Sequence, residues 1–144
     1  MAHVKIWLHC VWSTNNSTCI IPVSFRPSLL NHFRENAKEN NIVLDTINAH
    51  VDHVHTLINL GKLQNLSTLI QYLKGESAFW MNSQKILPYH CSWQDDYFAV
   101  SISHSHVDRV REYIQNQDQH HKNMNWEEEA ELFMKRYGFE QIQG

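Results

Sequence analysis

The order of elements legible in the sequence predicts an α+β fold: a ferredoxin-like split βαβ sandwich (βαββαβ) with one antiparallel sheet, helices on one face, and further helices at the C-terminal end. Three observations predict it. Stretches rich in β-branched and aromatic residues recur four times, two amphipathic helical patterns separate them at the required places, and two more helical patterns follow the last strand.

Residues 3–13, rich in Val, Ile and Trp, form the first expected strand, and the turn-forming run Thr14-Asn15-Asn16-Ser17 ends it. Pro27 suits a first helical turn, and Leu29, Leu30, Phe33 and Ala37 recur at helical spacing until Asn40-Asn41 stops the pattern. Two strands over 42–51 and 53–60 are parted by a short turn near Asp52. Leu66, Leu69, Ile70 and Leu73 mark a second helix, reaching about residue 82 despite Gly75. Residues 96–103 form the fourth strand. Ser105 with Asp108 reads as an acidic capping box opening a helix with Val107, Val110, Tyr113 and Ile114. Asn125 with Glu128 opens the last helix in the same way, its apolar side being Trp126, Ala130, Phe133, Met134 and Tyr137. The sheet face away from the first two helices is then open for a site or a partner.

Gly is scarce and no repeat or long linker interrupts the chain, so residues 1–144 are expected to form a single domain. No apolar run approaches the roughly 20 residues of a membrane span and the start lacks a signal-peptide pattern, which points to the cytoplasm. Cys10, Cys19 and Cys91 are odd in number and contain no Cys-x-x-Cys pair, so reduced, buried thiols are expected rather than a disulfide or a cysteine zinc site. The net charge of −3 does not rule out a nucleic-acid partner, because all of it lies in 126–144, where five glutamates oppose Lys135 and Arg136. Eleven histidines are the compositional oddity, and histidine is the commonest metal ligand.

The chemistry concentrates in two segments. In Val51-Asp52-His53-Val54-His55-Thr56-Leu57-Ile58, strand alternation puts His53 and His55 on one face and Val54, Thr56 and Ile58 on the other. Paired neutral imidazoles on an open face can bind a divalent metal, although a plain surface or half-buried pair has the same pattern. In Arg111-Glu112-Tyr113-Ile114-Gln115-Asn116-Gln117, Tyr113 and Gln117 are four apart and share a helix face, as do Gln117 and His121. The competing reading is that Tyr113 only caps the core beside Val110 and Ile114.

Together these segments resemble the single-tyrosine transposases of the HUH nuclease superfamily, of the IS200-like insertion-sequence group. The resemblance spans nearly the whole chain, through Trp7-Leu8-His9-Cys10-Val11-Trp12, Asp52-His53-Val54-His55, Leu73-Lys74-Gly75, Trp93-Gln94-Asp95-Asp96-Tyr97-Phe98-Ala99 and the run from Tyr113 to His121. It implies that His53 and His55 bind the metal, Mg²⁺ or Mn²⁺, that Tyr113 is the nucleophile, and that Gln117 is the third ligand. Lys74 and Gly75 match a position where a phosphate contact and close backbone approach are expected. His50 and His121 remain spare candidates. Where the family often carries a basic stretch after the first strand, this chain has Asn15-Asn16, so DNA affinity or target choice is expected to differ.

The implied reaction is cleavage and rejoining of single-stranded DNA, with hairpin-bearing ends as substrate and a 5′-phosphotyrosine intermediate; a homodimer is also implied. The alternative is a non-catalytic or host-adopted protein that keeps the fold and binds DNA hairpins, and the intact His53/His55/Tyr113/Gln117 set favours catalysis. A histidine-triad nucleotide hydrolase is excluded because Leu57 stands where that chemistry needs a histidine.

Overall fold

The computed structural model describes residues 1–15, 19–85, 87–116 and 126–138. Its elements are β1 (Trp7–Ser13), α1 (Arg26–Glu39), β2 (Val43–Ala49), β3 (His53–Asn59), α2 (Leu66–Ser83), β4 (Phe98–Ile102), α3 (Val107–Gln115) and α4 (Trp126–Tyr137). The sheet order is β2-β3-β1-β4 with every neighbouring pair antiparallel. β3 therefore sits between β1 and β2, which run parallel to each other: this is the split βαβ arrangement the element order predicts.

Period-two alternation divides the sheet into two unlike faces. Leu8, Cys10 and Trp12 of β1 and Val54 and Ile58 of β3 point to one face, where Leu29, Phe33 and Ala37 of α1 and Leu69, Ile70 and Leu73 of α2 cover them. Pro27 lies in the first turn of α1, and the Asn65 side chain caps α2 by accepting from the Thr68 N–H at 3.1 Å. Gly75 does not break α2, and a side chain added there would meet nothing within 4 Å. Among the described residues no helix is long and apolar enough to cross a membrane.

The opposite face, expected to be open, is covered. Trp7 and Leu57 pack under Val107, Val110 and Ile114 of α3, and Phe133 of α4 is buried against the same side of the sheet. Period-two and helical patterns reveal that α3 and α4 have apolar stripes, but those stripes had only this face left to bury. A bulge in β2 helps to fix α3: Leu44 and Thr46 oppose Ile58 and Leu57, leaving Asp45 as the extra residue. Its carboxylate accepts two hydrogen bonds from Arg111, at 2.7 and 2.8 Å. Asn48 of β2 donates from Nδ2 to the Ile114 carbonyl at 2.9 Å, satisfying an acceptor in the last turn of α3.

Three further expectations are corrected. β1 begins at Trp7, and residues 3–6 lie outside it. The capping box at Ser105 does not form; His106 precedes α3 without a side-chain cap, after a 3-10 turn at His104–His106, and the Ser105 hydroxyl instead bonds Ser103 at 3.0 Å. The cysteines are not all thiols. Cys19 and Cys91 form a disulfide with 5.0 Å between their Cα atoms, whereas Cys10 is free and buried, its thiol pushed up to about 12 by desolvation. These partners are 72 residues apart, a distance over which no local spacing rule operates. Asn125, Gln117 and His121, and Asn16 and Ser17 of the first turn, lie outside the described residues.

Candidate metal centre and nucleophile

His53 and His55 project from β3 on the face opposite Val54, Thr56 and Ile58, as alternation requires, but they are fully buried rather than open. What buries them is α4. Glu129 reaches across so that Oε2 lies 2.5 Å from His53 Nε2 and Oε1 lies 2.7 Å from His55 Nε2. The other ring nitrogens are also engaged. His53 Nδ1 is 2.8 Å from Asp52 Oδ1, and His55 Nδ1 is 3.0 Å from His9 Nε2, which in turn sits in a ring whose Nδ1 is 3.1 Å from the Tyr137 hydroxyl. Asp52 also accepts from the Trp126 N–H at 3.4 Å, tying the β2–β3 turn to the first residue of α4.

These contacts set the charges. Burial would raise the Glu129 carboxyl, but hydrogen bonds with His53 and His55 outweigh it and hold the group well below the usual carboxylate range. Burial works against a charged His53, yet Asp52 and Glu129 together leave it above the ordinary histidine value. Burial dominates at His55, bringing it down to about 4 despite Glu129, and at His9, which lies well below the ordinary value. The surroundings thus shift Glu129 and His53 toward their charged forms and His55 and His9 toward their neutral ones.

The donor set fits a divalent cation. His50, stacked on His53 with ring centroids 5.0 Å apart, also contributes: His50, His53 and Glu129 each offer a ligand atom, all within 4.8 Å of one another. Nitrogen and carboxylate oxygen together suit first-row ions such as Mn²⁺, and Mg²⁺ through the oxygen.

Tyr113 stands beside this cluster. Its ring is edge-on to His55 at 5.9 Å and to His9 at 6.1 Å between centroids, and the Arg136 guanidinium lies 4.8 Å above it. Helical spacing accounts for this placement, since Val110 and Ile114 point into the sheet and Tyr113 occupies the flank of the same helix, half-buried. The core-capping and site readings are therefore compatible.

Lys74 and Gly75 line a separate cleft with Trp93, Gln94 and Tyr97, and the Lys74 ammonium donates to the Asp95 carbonyl at 2.9 Å. A second cleft, about 730 Å³, is bordered by Asp52, Phe98 and Trp126. Gln94 and Tyr97 line both, so the two clefts adjoin.

The sequence model of the family described as "Transposase IS200 like" matches residues 2–117. The chain belongs to that family. Membership places it among DNA transposases, and the solved structures agree on the fold. A candidate transposase from Deinococcus radiodurans R1 aligns with a TM-score of 0.64 at 23% identity, covering 81% of this chain and 93% of that one. A REP-associated tyrosine transposase, solved bound to a REP hairpin, aligns at 0.61 and 13% identity over 82% of this chain and 70% of that one. No match was found among curated proteins.

Glu129, His9 and Asp52 were not assigned by sequence reasoning. Glu129 lies beyond the family-matched segment of this transposase, and as the third of three consecutive glutamates in a helical first turn it reads as a solvated charge favoured by the helix dipole. Its signal was positional: Glu129 is three residues after Trp126 and four before Phe133, and so sits within the apolar stripe.

Proposed function

We propose that this transposase cleaves and rejoins single-stranded DNA through a phosphotyrosine on Tyr113, at a divalent-metal site built on His53 and His55 with Gln117 as a further ligand. The observation that carries the reading is the meeting of the two β3 histidines and Tyr113 from α3 in one cluster, with ring centroids of His55 and Tyr113 5.9 Å apart. A phosphodiester repels nucleophiles through its charge, and a cation bound at the histidines would withdraw part of that charge.

Tyr113 Oη then attacks phosphorus, forming the tyrosine O–P bond and breaking the bond to the 3′ oxygen. The phenolic proton leaves, and the departing oxygen takes up a proton to become a 3′-hydroxyl. The link conserves the bond energy, so a second 3′-hydroxyl can displace Tyr113 and rejoin DNA without a nucleotide cofactor. Arg136 above the Tyr113 ring offers a positive group for the phosphate. The adjoining clefts, from Trp126 past Tyr97 to Lys74, offer a surface for unpaired nucleotides, with aromatic rings for stacking. Hairpin-bearing ends are the proposed substrate, the cytoplasm the place of action, and a homodimer the working assembly.

The test uses labelled single-stranded DNA carrying imperfect palindromes, incubated with Mn²⁺ or with EDTA and resolved under denaturing conditions. A covalent adduct is expected from the wild-type protein with Mn²⁺, and none from Tyr113→Phe or with EDTA. An adduct that survives Tyr113→Phe, or that forms equally in EDTA, overturns the mechanism and leaves hairpin binding without cleavage as the function.

A further inference from the structure

We propose that Glu129, on α4, is itself a metal ligand of this transposase, making with His53 and His55 a two-histidine, one-carboxylate shell closed by a helix beyond the family-matched segment. The inference rests on the metal-site part of the proposed function and adds to it a residue from outside residues 2–117.

The geometry comes first. Both carboxylate oxygens point at ring nitrogens, and they point at the same nitrogen, Nε2, of each histidine. Two ligands at about 2.1 Å from a metal and at right angles to each other lie about 3.0 Å apart. The observed 2.5 and 2.7 Å are therefore a few tenths of an ångström short of that spacing, and a small retreat of one side chain opens the place. Glu129 sits in the first turn of α4, so a slight shift of that helix supplies the movement without disturbing the sheet.

Tautomer chemistry makes the same point. When a proton sits on His53 Nδ1 it serves Asp52, and when one sits on His55 Nδ1 it serves His9, whose own Nδ1–H then serves the Tyr137 hydroxyl oxygen. In that arrangement the Nε2 lone pair of each histidine faces a different oxygen of the Glu129 carboxylate. Four lone-pair-bearing atoms at that distance repel unless a proton or a cation lies among them. Partners on the far ring nitrogen, here Asp52 and His9, orient metal-ligating histidines in general.

Burial adds the energetic reason. Glu129 is 1% exposed and its helix is otherwise a docking helix whose inward residue, Phe133, is apolar. An ionised carboxylate in such a place is costly to bury unless opposite charge is held beside it. His53 beside Glu129 can hold that charge, and a divalent cation would take over the role and anchor α4 at the same time. A six-coordinate ion held by His53, His55, Glu129 and Gln117 would keep positions for phosphate oxygen and water.

The experiment is calorimetric titration of the full-length protein with Mn²⁺ alone, for wild type, Glu129→Gln, Glu129→Ala and, as a control on the exposed side of the same turn, Glu128→Ala. Expected are a Kd raised at least about tenfold by Glu129→Ala, a smaller rise for Glu129→Gln, whose amide oxygen can ligate without charge, and no change for Glu128→Ala. Co²⁺ loading provides a second readout, since removal of a direct ligand moves the visible absorption band and loss of helix docking alone does not. Equal or tighter Mn²⁺ binding by Glu129→Ala, with an unmoved Co²⁺ band, overturns the proposal and makes Glu129 a competitor for the site. A wild type that binds no Mn²⁺ overturns both this inference and the metal role in the proposed function. Failure of the Tyr113 adduct with the Glu129 effect intact overturns only the cleavage reading.

Discussion

At the scale of single residues, the site depends on groups that never need to touch DNA. Asp52 holds His53 Nδ1 at 2.8 Å and His9 holds His55 Nδ1 at 3.0 Å, so each fixes which nitrogen of its neighbour faces Glu129. Removing either lets the imidazole rotate or take the wrong tautomer, and losses of this kind cost on the order of 10- to 100-fold in metal affinity. Asp52→Ala and His9→Ala are thus expected to weaken Mn²⁺ binding by that amount while adduct formation with Tyr113 recovers at high Mn²⁺. Titration of adduct yield against Mn²⁺ checks this, and a loss that no Mn²⁺ concentration restores would show a fold defect instead. His53 and His55 were legible in the sequence because a period of two leaves no choice about which residues share a face. Glu129 was not, because its partners lie 74 or more residues away and its local setting is that of an exposed helix start. His9 stood in plain sight within β1, but nothing local distinguishes a core histidine from one that orients another.

At the scale of elements, α3 carries Tyr113 and is held to the sheet by a small apolar patch and the Arg111 fork on Asp45. The fork spans from the β2 bulge to the helix, so it sets the rotation of α3 and with it the place of the phenol. Hydrogen bonds from Arg111 hold Asp45 below its ordinary value of 3.8, burial opposing them. A carboxyl with a depressed folded-state pKa contributes stability that is fully present above 3.8 and is lost as pH falls through the lower folded value. Asp45→Asn should therefore be less stable than wild type at pH 7 and at pH 5, with the difference shrinking below pH 3.8. Urea unfolding at the three pH values measures this; a gap that stays constant into the acid range would mean that the pair contributes packing and no charge. The bulge that aims Asp45 could not be read from sequence, since it is defined by register against β3 and not by any residue in β2.

At the scale of the whole molecule, four strands and four helices among the described residues fall in the predicted order, because alternation and helical spacing are carried by each segment alone. What joins distant segments was hidden, and the disulfide is the plainest case. Cys19 follows β1 and Cys91 precedes β4, and these two strands are neighbours in the sheet. The loop from β1 and the loop into β4 are also held by Thr14 bridging Trp93 and by the Asn15 N–H donating to the Ser92 carbonyl at 2.8 Å. The bond thus closes a corner that main-chain pairing already forms, and it constrains the unfolded chain. Constraining a loop with a separation of 72 residues limits the unfolded ensemble, an effect typically worth about 2–4 kcal/mol, or roughly 5–15 °C in Tm for a chain of this length. Reduction, or Cys19→Ser with Cys91→Ser, should lower Tm by that amount while Cys10→Ala leaves the reduction effect in place. Alkylation of the denatured chain gives the accompanying count: one reactive thiol, Cys10, before reduction and all three cysteines after it. Three thiols without reductant, or a Tm indifferent to reductant, would show that the corner is held by the backbone pairing alone.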